Sequence, residues 1–291
     1  MTPQAESVVD DSVAASPLRH GGWEAALALE FERVGARSVL ARRAHRGPLV
    51  VQKPLYPEGP DVCQCVIVHP PAGIVGGDRI TLDVSVGRDA RAQLTTPGAT
   101  RWYRSAVQPA TQQFHANVAA GALLEWLPQG TIVHDGAHAA STIRIEVAVS
   151  AGFIGMEVVS LGRRAAGERF RCGEWRQRFE IVRDGAPIWS ERAVLKGGGE
   201  LLGSAVGLDG APVFGTFVAV MPGSSDTMMP ALRDLSAAQG HGSVTRLPDV
   251  LVARYVGDSM EAAGTYFMDA WSIVRPLLTG LVAMRPRIFS T

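Results

Sequence analysis

From Trp23 to about residue 220, apolar and polar positions alternate in short runs, each closed by glycine or proline. In "TIRIEVAV", beginning at Thr142, the alternation is strict, which turns one face to a core and the other to water. "QCVIVHPPAG", "DRITLDVSVG", "ARAQLTTPGA" and "QQFHANVAAGALLEWLP" keep the same rhythm. Segments of about 8–12 residues between turn signals predict a mainly β body with antiparallel strands. Asp184-Gly185, between "FEIVR" and "APIWSE", predicts a two-residue type I′ hairpin, in which both turn residues take positive φ. The pattern changes near the C-terminus, where two α-helices are expected. One runs from Asp226 as cap to Gly240 as stop, with Met228, Leu232 and Leu235 at helical spacing. The other opens with a capping box of Asp258 and Glu261, presents Met260, Ala263, Phe267, Trp271 and Val274 on one face, meets Pro276 and closes at Gly280.

Composition narrows the setting. The 291 residues carry 28 basic and 28 acidic side chains, so a neutral chain has no general electrostatic pull toward nucleic acid or an anionic membrane. Lys53 and Lys196 are the only lysines; the rest of the positive charge is arginine, which suits fixed, forked contacts. Three cysteines, Cys63, Cys65 and Cys172, do not make a disulfide framework and fit a reducing cytoplasm. "MTPQAESVVDDSVAASP" lacks the basic and apolar regions of a secretory signal, and residues 1–20 read as a disordered tail before a single β-rich domain over 21–291. No apolar run reaches the roughly 20 residues of a membrane helix.

Candidate chemistry starts at "HPPAGIVGGDRITLDV", where Gly76-Gly77-Asp78 feeds a strand. A phosphate loop needs a lysine and a following helix, and both are missing here; "KGGGELLGSA" has Ser204 where lysine is required. A tight turn whose Asp78 carboxylate accepts backbone N–H groups accounts for the spacing. Cys63 and Cys65 share one face of a strand with His69 close in sequence, which makes either a soft-metal site or two small buried apolar groups. His134 and His138 have ligand spacing, but "VHDGAH" reads as a turn and its imidazoles as surface groups. Glu125, Glu157 and Glu191 sit among residues that should be buried, so each requires a partner, a cation or a polar cavity. Arg101, Arg104, Arg163, Arg164 and Arg192 are available for ion pairs, and no nucleophile elbow or general-acid pair marks a hydrolase.

Taken together, "GPLVVQKPLYPEG", "HPPAGIVGGDRITLDV", "LTTPGATRWYRS", "LEWLPQGTIVHDGA", "GMEVVSLGR", "GERF" and "PRIFST" closely resemble the urease accessory protein UreD family, called UreH in some bacteria. They occur in the family's order across residues 23–291, with Ala72 where glycine is usual and Phe289 where tryptophan is usual. The resemblance implies a helically wound β body with a pair of helices and a non-enzymatic role in maturing nickel urease. It implies binding to the urease apoprotein and to UreF, with the nickel-carrying GTPase UreG engaged through UreF. No permanently bound cofactor is implied, only transient nickel in a polar tunnel. By similarity, Asp78, Thr100, Glu157 and Glu191 fall on the tunnel wall, while Gly76, Gly77, Arg104 and Glu125 are motif residues without an assigned metal.

Overall fold

The computed structural model of the protein describes residues 22–105, 108–221 and 226–290; the tail expected over residues 1–20 lies outside them. In chain order the strands are β1 (Glu24–Val34), β2 (Arg37–Arg46), β3 (Val50–Val51), β4 (Cys63–Val68), β5 (Arg79–Val86) and β6 (Arg91–Thr95). They continue with β7 (Thr100–Trp102), β8 (Ala110–Val118), β9 (Leu123–Leu127), β10 (Thr131–Val133), β11 (His138–Val147) and β12 (Gly152–Leu161). The series closes with β13 (Glu174–Arg183), β14 (Ala186–Lys196), β15 (Val213–Val220), β16 (His241–Arg246) and β17 (Val250–Gly257). Among the described residues three α-helices, α1 (Glu200–Gly203), α2 (Met229–Arg233) and α3 (Met260–Thr279), lie in the C-terminal half.

The chain winds between two facing sheets. One has seven strands in the order β14-β13-β11-β8-β5-β1-β2, the other ten, with β16-β17-β15-β12-β9-β6-β4-β3 as its main path. Successive coils deposit β5, β8, β11 and β13 side by side in the first sheet and β4, β6, β9 and β12 in the second, each parallel to its neighbour. Antiparallel pairs occur chiefly toward the sheet margins: β1/β2, β13/β14, β12/β15, β15/β17 and β16/β17. The sheets are therefore mixed: the antiparallel pairs that the alternation predicts are present, and parallel pairs join them. Period-two alternation reports a half-buried strand, not the direction of its neighbour. The Asp184-Gly185 hairpin forms as expected, with φ of 50° and 76°.

Alternation also explains the layers. In β1, Ala25, Leu27, Leu29 and Phe31 are buried while Glu24, Ala28 and Glu32 face water. The second sheet is buried on both faces. Phe153, Val159 and Leu161 of β12 join the core between the sheets, whereas Ile154, Met156 and Val158 join a second core beneath α3. Ala263, Phe267, Trp271 and Val274 of α3 fill that second core, as their spacing predicts. Its cap differs: Ser259, not Asp258, accepts the Ala262 N–H at 3.1 Å, and Asp258 instead pairs with Arg164 at 2.8 Å. Gly280 ends the helix with φ of 70°, and Pro276 lies inside its last turn. The helix expected over residues 226–240 shrinks to α2 after a short 3₁₀ turn, Asp226–Met228. Leu235 and Ala237 still pack against the α3 core from irregular backbone. No helix among the described residues is long and apolar enough to cross a membrane.

Candidate functional site

Between the two sheets lies a cavity of about 300 Å³. Ile80 and Leu82 of β5 line one side, Ile67 of β4 and Trp126 of β9 the other, and Glu157 of β12 is in the wall. Thr100 is also in the wall; its N–H donates to the Gly130 carbonyl at 2.9 Å and so fixes the start of β7. His69 stands in the lining just past the end of β4, on the segment that sequence analysis placed beside the cysteines. Burial lowers the His69 pKa below the ordinary imidazole value, with Asp78 pulling weakly the other way. A neutral imidazole offers a free lone pair to a metal ion.

Glu157 is the least compensated carboxylate of this interior. It occupies an inward position of β12, and among the described residues its one hydrogen bond comes from Gln177 Nε2 of β13 in the facing sheet, at 2.7 Å. Desolvation, followed by the negative charge of Glu191, raises its pKa to about 8. Glu191 itself, on β14, is held from the other side: Arg254 Nη1 lies 2.7 Å from it and Thr216 Oγ1 donates at 3.1 Å. The pairing of β12, β15 and β17 sets Glu157 opposite Thr216 and Thr216 opposite Arg254, making one polar row. The row runs from the cavity to Arg254, whose side chain is half exposed. Thr100 and Glu157 thus share the cavity, with Glu191 one step along the row and outside the cavity wall.

Asp78 stands apart from that row. Its carboxylate accepts the Trp23 N–H at 2.7 Å and the Val75 N–H at 2.9 Å, so it closes the turn and anchors the entry to β1. Gly77 takes φ of 91°, and a Cβ on Gly76 would collide with the Ser105 hydroxyl, which explains both glycines. Arg104 is on the surface, with Nε donating to the Asp135 carbonyl at 3.4 Å. Asp135 in turn accepts the Arg171 and Cys172 N–H groups, the first cause of its lowered pKa being the Cys172 amide.

Glu125 is fully enclosed and fully bonded. Arg275 Nε reaches it at 3.0 Å, Trp271 Nε1 at 2.8 Å and Gln93 Nε2 at 2.9 Å. The remaining guanidinium nitrogens of Arg275 hold Glu58 at 2.6 and 3.1 Å. Burial holds the Glu125 pKa above its ordinary value, although Arg275, Trp271 and Gln93 pull the other way. This is the arginine-pair alternative, realised at Glu125, and it pins α3 to the sheet. Neither Arg275 nor Glu58 was singled out from sequence. Arg275 was legible as the one charge four residues beyond Trp271 on the apolar helix face, whereas Glu58 in "YPEG" looks like an ordinary turn residue.

Cys63 and Cys65 are both buried and Cys172 is exposed. His138 is exposed at the start of β11, but His134 is buried against Tyr103, ring centres 4.8 Å apart, which corrects its reading as a surface imidazole. His134 to Ala137 do form a turn, closed by an Ala137 N–H bond to the His134 carbonyl at 3.0 Å.

The family model described as UreD urease accessory protein matches residues 24–290. A urease accessory protein UreD from Azoarcus sp. is 48% identical over 270 residues, covering 93% of this chain and 95% of its own. Proteins of the same name from Dechloromonas aromatica and Pseudomonas savastanoi pv. phaseolicola are 45% and 47% identical, covering 95% and 92% of this chain and 98% and 95% of their own. Seven sequence motifs, the wound β body and near full-length matches agree: the chain belongs to the UreD family of urease accessory proteins.

Proposed function

We propose that this chain is a non-catalytic maturation factor for nickel urease that works in the cytoplasm and carries nickel through its interior. In this reading it assembles with the urease apoprotein and UreF, and with UreG through UreF. The observation that carries the ion path is Glu157: an inward carboxylate at the cavity, with one hydrogen bond, a like charge nearby and a pKa of about 8. Near neutrality such a group keeps its proton until a cation replaces it. A divalent ion relieves both the desolvation and the repulsion from Glu191, so the exchange is favourable but not deep. Thr100 and Glu157 give oxygen donors and His69 an imidazole, a set that holds nickel less firmly than thiolates would. That weakness suits a conduit, which must release what it binds. Asp78 takes part in this reading by holding the turn next to His69, and Glu191 by setting the charge on Glu157.

The test is co-expression of the chain with UreF, UreG and urease apoprotein, followed by size exclusion and measurement of nickel per urease active site. The expected result is a stoichiometric complex and a rise in nickel content that depends on this chain. A chain that neither co-elutes with these proteins nor raises urease nickel would end the proposal.

A further inference from the structure

A second cavity, of about 700 Å³, lies over the short parallel pair β7/β10. Its floor follows from strand register. Arg101 is paired with Ile132, Ile132 with Ser160 and Ser160 with Val213, so one row crosses β7, β10, β12 and β15, and all four residues line the cavity. Two positions along the same face come Tyr103 and His134, just past the strand ends, with ring centres 4.8 Å apart. The segment after β12 brings Arg163 and Arg164 to the lining, and the first turn of α3 reaches it at Met260.

The positive groups gathered here are only partly answered by the chain. Glu168 holds Arg163 at 3.1 Å, and Asp258, the one carboxylate among the described lining residues, holds Arg164 at 2.8 Å. Arg101 is exposed and has no ion pair among the described residues. His134 is nine-tenths buried, and its Nε2 has no hydrogen-bond partner among the described residues. A buried polar atom left in that state is costly, and a bound group that answers it regains the loss. Burial lowers the His134 pKa, with Arg163 and Arg101 adding to it and Glu168 opposing, so the ring is neutral near pH 7 and able to donate one N–H. The 20-residue α3 adds the positive end of its dipole, and the leading N–H groups of a helix have no acceptor within it.

These donors select the ligand. Guanidinium, imidazole and helix N–H groups arrive from separate elements, which suits a tetrahedral oxyanion presenting oxygens in several directions better than a flat carboxylate or a chloride ion. The volume exceeds that of a bare phosphate, and the apolar faces of Ile132, Val213 and Tyr103 leave room for an organic group attached to one. We propose that this cavity binds a phosphate group, free or as a monoester, with Arg101 supplying the unpaired charge and His134 the unpartnered ring nitrogen. Arg101 also borders the interior cavity, but the assignment does not rest on the nickel path.

The test uses the full chain in chloride buffer at fixed ionic strength, titrated calorimetrically with sodium phosphate and, separately, with adenosine monophosphate. The expected result is saturable binding of one phosphate group per chain. Arg101→Gln should weaken it at least tenfold and His134→Phe severalfold, whereas Arg42→Gln, on the exposed strand β2, should leave it unchanged. Tighter binding of the nucleotide would assign the site to phosphate monoesters, and tighter binding of the free ion would assign it to inorganic phosphate; either supports the proposal. Absence of saturable binding by both would overturn it, as would binding that Arg101→Gln leaves intact. Because Arg101 is exposed, its variant decides the matter even if His134→Phe fails to fold.

Discussion

Glu125 and Glu157 lie on adjacent, parallel-paired strands of one sheet, both in apolar surroundings, yet they do opposite things. Glu125 faces α3 and is met by Arg275, Trp271 and Gln93. Glu157 faces the cavity and, among the described residues, is met by Gln177 alone, with Glu191 pushing against it. Both are withdrawn from water, Glu125 fully and Glu157 partly, but only Glu125 is compensated. A carboxylate with every lone pair answered and a countercharge in contact is part of the scaffold. One that is enclosed and under-compensated stores an affinity for a proton or a cation, and that difference separates the structural half of this sheet from the half proposed to carry nickel.

The largest way to break the comparison is to strip Glu125 of its partner. Arg275→Leu leaves Glu58 and Glu125 buried without their cation and should cost about 3–5 kcal/mol in urea denaturation. Adding Glu125→Gln should recover part of that loss, because the pair shares one interaction. Recovery would mark Glu125 as structural; no recovery would place the cost elsewhere in α3.

A second effect is the contribution of Glu157 to the pH dependence of stability. In the unfolded chain this carboxyl titrates near its ordinary 4.5, and in the folded chain near 8. Between those values the folded state holds a proton that the unfolded state has released. Stability should therefore be fully present below about pH 4.5 and fall as pH rises toward 8, by up to about 1.4 kcal/mol per pH unit. Glu157→Gln should flatten that fall, measured as urea midpoints across pH 5–8. Glu191→Gln, which removes the like charge, should shift the fall to lower pH. If both variants leave the pH profile unchanged, Glu157 is as well compensated as Glu125.

The smallest change sharpens the contrast from outside. Ser259→Ala removes the cap of α3 and should lower stability by about 1 kcal/mol without altering the pH profile. It loosens the helix over Glu125 while leaving the Glu157 side of the sheet untouched.

Much of this organisation was legible in the chain. The alternation of β1 and β11, the Asp184-Gly185 hairpin and the apolar face of α3 depend on neighbours in sequence, and they form as read. The direction of strand pairing depends on which coil lies next to which, and period-two alternation is silent on that. A clue was present in "LLEWL" and "GFIGMEVVSL": near-continuous apolar runs belong to sheets covered on both faces, the usual setting of parallel strands. The site divides the same way. The burial of Glu125 and the partial burial of Glu157 and Glu191 followed from their apolar flanks, but their partners come from up to 150 residues away. That is why the three carboxylates looked alike in sequence and differ in the fold. Asp78 illustrates the converse, since its backbone acceptor role follows from turn chemistry that spacing already suggested.

The most direct measurement is the nickel content of urease matured with Glu157→Gln in the intact complex. Glutamine keeps the shape and the Gln177 contact region while removing the exchangeable charge. The account predicts normal co-elution of the complex with nickel per active site reduced severalfold, and wild-type loading with Ser259→Ala as the control for the scaffold. Full nickel loading with Glu157→Gln in an assembled complex would contradict the interior path and leave the chain as an adaptor alone.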